Sequence, residues 1–390
     1  MRTAFIIVLV AQAIVAPWSQ AAVPVVFNFL DGPGVGFFNT APLNDPDLPT
    51  ATTIGEARRI VVQAAGDHLG SFFQPTYSGE QWIVDAMFFS SGPNGFLASA
   101  GPVGGGNGNT FAGGTSGVWY PASLANHLAS STVFSGAVVE AEFNSDIDWD
   151  YDLTGSPAVD EESLFSTSVH EIFHGLGFLS DIEESGNYFD GIPSIFDTLL
   201  VEGTTPVDSL STSGRANALV SNNLFFVGAG AMAANPLGAG PVKIHAPSLF
   251  EQGSTGSHLD RAAFANIGDP MLPEASSNVP EPIFLSGLDV AIMADLGYTL
   301  ANSNPPGDFN ADGTVDVADY TVWRDGHGSA TDYTLWKNNF GLSAPAASFS
   351  GNSAVPETAT IWLCAMMVFG VAIFRVLQGG VLRRTPASGS

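Results

Sequence analysis

Residues 168–178 read Ser168-Val169-His170-Glu171-Ile172-Phe173-His174-Gly175-Leu176-Gly177-Phe178, a stretch that contains the pattern H-E-x-x-H. On an α-helix, residues four apart lie one turn above each other on the same face. His170 and His174 can therefore aim two imidazole nitrogens at one metal ion, an arrangement that zinc accepts. Glu171 is not needed as a ligand and is free to take a proton from a water at that metal. The neighbouring residues predict the helix itself. Phe165, Val169, Ile172 and Leu176 recur at helical spacing and form an apolar stripe beside the histidines. Residues 160–163 supply acidic and capping groups at its start, and Gly175 and Gly177 can end it.

Upstream, residues 24–30 read as a strand followed by a turn over 31–36. Residues 54–73 have helical spacing, with Ala57, Ile60, Val61, Ala64, Ala65 and Leu69 on one side. Residues 81–89 read as a strand. The glycine-rich run 101–117 lacks the Gly-Lys-Ser/Thr of a phosphate cradle and reads as a flexible loop. Residues 138–143 alternate as a strand, which ahead of the metal helix can form the edge of a cleft and pair with an extended peptide. Downstream, periodicity is weak over 180–243, and Asp181, Glu183, Glu184 and Asp190 read as a solvated acidic face. Residues 286–296 form an amphipathic helix with Leu288, Ile292 and Leu296 in register.

A catalytic zinc site takes three protein ligands and a water. In one protease pattern the third histidine follows as H-E-x-x-H-x-x-G-x-x-H. This chain keeps the glycine, Gly177, but has Ser180 where that histidine would stand. Either Asp181 substitutes or the ligand comes from further on. The remaining histidines are His68, His127, His245, His258 and His327. His258 follows a Gly/Ser loop and precedes Asp269-Pro270-Met271-Leu272-Pro273, which favours it; His245 is its main rival. His68 and His127 read as structural.

Four blocks in order carry a resemblance: H-E-I-F-H-G-L-G-F at 170–178, S-H-L-D at 257–260, D-P-M-L-P at 269–273, and L-S-G-L-D-V-A-I-M-A-D-L-G-Y at 285–298. Together they resemble the leishmanolysin-like branch of the metzincin zinc proteases, over residues 23–300. The resemblance implies His258 as the third zinc ligand and Met271 as the methionine turn, an apolar floor under the metal. It implies an α+β fold of two subdomains over 22–301: a twisted mixed β-sheet with the active-site helix, then an irregular second half across the cleft. The implied activity is that of an exported zinc metalloendopeptidase acting on protein or peptide substrates. The chain departs from the family at Leu259, where a tryptophan is usual, and in lacking its cysteines.

Composition sets further bounds. The chain of 390 residues carries 11 Lys+Arg against 38 Asp+Glu, a formal net charge of −27, which disfavours nucleic acid and anionic lipid as partners. Its one cysteine, Cys364, lies in a terminal apolar run, so the chain forms no intrachain disulfide and the main domain offers no thiolate.

The two ends read as targeting and accessory segments. Met1-Arg2, the apolar run 4–15 and Ser19-Gln20-Ala21 predict a signal peptide over 1–21. After a short linker, Asp308, Asn310, Asp312, Asp316 and Asp319 fall at positions 1, 3, 5, 9 and 12 of a calcium loop. Gly313 makes its turn, and Thr314 offers its backbone carbonyl. This loop is similar to that of a dockerin, which sets a small helical calcium module over 302–342. Asp319-Tyr320-Thr321-Val322-Trp323 is echoed by Asp332-Tyr333-Thr334-Leu335-Trp336, but the residues before Asp332 lack the oxygen pattern. One Ca2+ site is therefore expected, and cohesin docking is disfavoured. A spacer over 343–354 leads to Val355-Pro356-Glu357-Thr358, the apolar run 359–374, then Arg375, Arg383 and Arg384. Residues 355–390 resemble a PEP-CTERM sorting signal. That resemblance implies a C-terminal membrane segment, processing by an exosortase-type enzyme, and export to the bacterial envelope, surface or extracellular matrix. A non-catalytic, metal-stabilised surface or matrix protein fits the same tail. Glu171 separates the two readings, because a structural zinc site has no need of a carboxylate there.

Overall fold

In the strand Trp82–Phe89, Trp82, Val84, Ala86 and Phe88 are buried while the residues between them are half-exposed, the period-two pattern of a sheet with one face on a core. The computed structural model describes residues 22–301 apart from 46–47, 93–94, 154–156, 159–160, 266, 268 and 274–284, together with 307, 315–325, 333, 336–337 and 339–341. The predicted signal peptide, the sorting tail and His327 lie outside the described residues, as do Asp308, Asn310, Asp312 and Thr314 of the calcium loop.

The first half is built from β1 (Val25–Phe29), α1 (Ile54–Ser71), β2 (Trp82–Phe89), β3 (Ala98–Pro102), β4 (Gly105–Asn107), β5 (Trp119–Pro121), α2 (Ala122–Ala129), β6 (Val139–Asn144), β7 (Trp149–Asp150), β8 (Glu162–Ser163) and α3 (Leu164–Gly175). The main sheet has the order β1-β2-β6-β3. β2 runs parallel to both β1 and β6, with Val84 opposite Val139, and β3 runs antiparallel to β6, with Ala100 opposite Ala141. The sheet is thus mixed. The edge beside α3 is β3, and the strand predicted over 138–143 lies inside the sheet. The glycine-rich run contributes β4, paired with β5, so it is ordered by pairing where local pattern suggested a free loop.

Helices α1 and α3 pack on the inner face of this sheet. A capping box between Thr53 and Glu56 starts α1. Its predicted face is in place: Ala57, Val61, Ala65 and Leu69 are fully buried. Ser163 caps α3 by accepting the Ser166 amide. The whole predicted stripe of α3, Phe165, Val169, Ile172 and Leu176, is buried, each side chain contributing roughly 1.5–3 kcal/mol. Gly175 lets α3 approach β6, since a Cβ there would meet Val139 Cγ1 at 2.3 Å. Gly177 has φ +119°, outside the range comfortable for other residues, and turns the chain out of the helix.

The second half consists of β9 (Leu200–Glu202), β10 (Thr205–Pro206), α4 (Thr212–Leu219), β11 (Leu224–Phe226), α5 (Ala229–Ala234), β12 (Val242–Lys243), α6 (Arg261–Phe264) and α7 (Gly287–Leu296). A small antiparallel sheet, β10-β9-β11-β12, organises the region whose sequence showed little periodicity. Its strands have two or three residues, too few to show alternation. Ser286 and Asp289 form a capping box at the start of α7. In the tail, α8 (Val317–Asp325) begins where the predicted calcium loop ends. There Asp316 accepts the Ala318 amide and Asp319 accepts the Asp316 amide, so both carboxylates act as helix caps. Among the described residues no helix is long and apolar enough to cross a membrane.

Candidate metal centre

Three histidines converge. The Nε2 atoms of His170, His174 and His258 lie 3.1 Å from one another in all three pairs. Among the described residues this is the one group of three His, Cys, Asp or Glu side chains gathered closely enough to hold a metal ion. The two α3 histidines come from successive turns, as their spacing requires. The third is delivered by the loop ahead of α6.

The orientation of each ring is set by a backbone carbonyl. Nδ1–H of His170 donates to Pro270 O at 2.6 Å, that of His174 to Phe178 O at 2.6 Å, and that of His258 to Ser254 O at 3.0 Å. A carbonyl only accepts, so each Nδ1 carries the proton and each Nε2 presents a lone pair. Burial favours the same neutral form: it takes the His174 pKa down to about 3 and moves His258 well below and His170 below the ordinary range, with the neighbouring histidines reinforcing the effect at His174 and His258. Three unprotonated nitrogens at this separation repel one another unless a cation lies between them. A tetrahedral ion bound at about 2.0–2.1 Å sets its ligands roughly 3.3 Å apart. The observed triangle is close to that size.

The loop around Met271 joins the two segments that carry the converging histidines. Met271 is fully buried; its carbonyl accepts the Leu259 amide, and its own amide donates to Asp269. One short turn therefore holds His170 through the Pro270 carbonyl and fixes the residue after His258. His245 accompanies this arrangement without joining the cluster. Its amide donates to the His258 carbonyl, and its ring nitrogen Nε2 pairs with Glu251 at 3.0 Å. His127 and His68 are accounted for elsewhere, by Glu80 and Thr299 and by the Leu285 amide respectively.

Glu171 is buried on α3, with 8 % of its surface exposed. Burial pushes its carboxyl up to about 8, against the pull of the Ala100 backbone amide. Ala100 lies on β3. The flanking Leu97 carbonyl and Val103 amide bond toward β6, so backbone alternation turns the groups of Ala98 and Ala100 to the free edge of the sheet. The predicted acidic face needs one correction: Asp181 is fully buried, while Glu184 and Asp190 are exposed. Asp181 does not replace a histidine. Sequence reasoning also passed over Asp197, which accepts the Ser180 hydroxyl, the Asp181 amide, and the amide and hydroxyl of Ser194. Its partnership with Ser194, three residues back, is a local Ser-x-x-Asp pattern, whereas Ser180 and Asp181 are brought to it by the folding of the loop.

Comparison with protein-family models and with curated proteins finds no match to this chain.

Proposed function

We propose that the chain is a zinc-dependent endopeptidase. The observation that carries this reading is Glu171, a buried carboxyl next in sequence to one of three converging histidines, where a purely structural metal site has no use for it. His170, His174 and His258 would hold the zinc, and three ligands leave one tetrahedral position open. When bound, zinc supplies Lewis acidity, which lowers the pKa of a water and polarises a carbonyl. Glu171 takes a proton from the attacking water and passes it to the leaving amine. Its pKa of about 8 without metal, lowered by any nearby cation, suits that exchange close to neutral pH. The free edge of β3 offers main-chain groups to an extended peptide, and the Ala100 amide ties that edge to Glu171.

The mixed sheet, the helix with its two histidines, the distant third histidine and the Met271 turn support the metzincin-like, two-subdomain reading that the leishmanolysin-like resemblance implies. Export to the envelope, sorting by an exosortase-type enzyme and the Ca2+ module over 302–342 belong to the same proposal and are carried by sequence. The decisive experiment is hydrolysis of an unstructured protein by the purified full chain and by Glu171→Ala, with zinc measured on both. Zinc in both and cleavage only by the unaltered chain supports the reading. Zinc in both and cleavage by neither turns it toward the metal-stabilised surface protein.

A further inference from the structure

The tail meets the domain of the three histidines at the start of α7. The Gly287 amide is the first of that helix, one of the donors that no carbonyl within a helix can accept. It is buried, and it donates to Asn339 Oδ1 at 2.9 Å, across 52 residues of sequence. Asn339 is itself only 2 % exposed. Asparagine belongs mostly to protein surfaces, and a buried amide without an acceptor is costly, so this one bond meets the needs of both parts. Asn339 follows the echo at 332–336, the repeat whose calcium-loop oxygens are missing. Its neighbours fasten it to the end of the expected calcium loop. Trp336 Nε1–H donates to Asp316 O at 2.7 Å, and the Gly341 amide donates to Val315 O at 2.7 Å, with Val315 fully buried.

The same helix start is connected to the histidines. Ser286, the cap of α7, reaches Asp269 Oδ2 with its hydroxyl at 2.9 Å, and Asp269 Oδ1 accepts the Met271 amide at 2.9 Å. Pro270, between those two residues, orients His170 through its carbonyl. We propose that the second repeat of the tail is an intrachain clamp, docked through Asn339 on the N-terminus of α7, and that Asn339 is a positioning residue for the metal centre. Ser286 and Gly287 are consecutive, so a shift at one moves the other. If Asn339 is removed, the Gly287 amide must turn to water, and water reaches it only when the start of α7 loosens. That loosening passes through Ser286 to Asp269 and to the turn that holds His170. The repeat that lacks calcium ligands thereby has a task inside the chain. This role rests on the three histidines holding a metal, and it stands whether or not the chain is a peptidase.

The test compares the full chain with Asn339→Ala, using Co2+ in place of zinc as a spectroscopic probe. Hydrogen exchange of the Gly287 amide is followed by NMR, with the core residue Val61 as control. Asn339→Ala should speed exchange at Gly287 about tenfold, the worth of one hydrogen bond, and leave Val61 unchanged. It should also shift the visible spectrum of bound Co2+ and weaken its binding severalfold, less than the ~10–100-fold of a group that touches a ligand. Trp336→Phe keeps an aromatic ring but removes the donor to Asp316, and should act in the same direction to a smaller extent; it decides the matter if Asn339→Ala fails to fold. Unchanged exchange at Gly287 overturns the docking. Faster exchange with an unaltered Co2+ spectrum overturns the positioning role. A full chain that takes up no Co2+ removes the metal centre and that role with it, and exchange at Gly287 then decides the docking alone.

Discussion

His174 and His258 stand 84 residues apart, yet their Nε2 atoms lie 3.1 Å from each other, and each ring donates its Nδ1 proton to a carbonyl four residues from itself. The orientation of each ring is thus local and the meeting of the two is not. A metal site built this way should fail in a graded manner, with ligands mattering most and neighbouring histidines least.

His258→Ala should cost zinc affinity by more than the ~10–100-fold typical of groups that only orient a ligand. His245→Ala removes the pair with Glu251 but no converging nitrogen, and should keep zinc within about that range. Zinc competition with a chelator measures both. Equal losses in the two variants would contradict the ligand assignment.

Glu171→Gln preserves size and removes the proton acceptor. Hydrolysis should fall about 10²–10⁴-fold, the usual contribution of a general base, with zinc content unchanged. A variant that keeps its rate would remove Glu171 from the chemistry.

His68 should make the fold acid-sensitive. Its Nε2 accepts the Leu285 amide, and burial lowers its pKa from 6.5 to about 4. Between these values the unfolded chain binds more protons than the folded one, so stability is full above pH 6.5 and falls as pH drops toward 4. The loss is on the order of 3 kcal/mol. Urea unfolding across this range should show a shallower pH dependence for His68→Gln than for the unaltered chain, since a glutamine can accept the amide without titrating.

Gly175→Ala should destabilise the protein although alanine favours helices by about 1 kcal/mol. The added Cβ would stand 2.3 Å from Val139 Cγ1. Overpacking of this kind costs ~1–3 kcal/mol. Combining it with Val139→Ala should cost less than the sum of the two single changes, because the second relieves the first. Thermal midpoints of the three variants check this.

What could be read from the sequence was what a short stretch decides alone. The histidine helix and α1 announce themselves because helical periodicity and caps are local properties of a single segment. α7 forms where expected but is not the amphipathic helix its leucines suggested, since none of its residues is exposed. The edge strand β3 does not. Ala98-Ser99-Ala100-Gly101-Pro102 has no apolar alternation, and it is a strand because β6 offers it partners. The short strands β9 to β12 were hidden for the same reason.

For the candidate site the division is equally physical. The sequence by itself determined that His170 and His174 share a face, since the helix repeat allows nothing else, and it placed Glu171 beside them. Through neighbouring blocks it favoured His258 over His245, with Asp181 as a further alternative. Only the tertiary structure shows which ring converges on the other two, because that depends on which loop reaches α3. It also decided which ring nitrogens carry protons, through the carbonyls of Pro270, Phe178 and Ser254, and it buried Asp181, which its sequence neighbours place in solvent. Burial and convergence are sums over distant parts of the chain, and no window of sequence contains them.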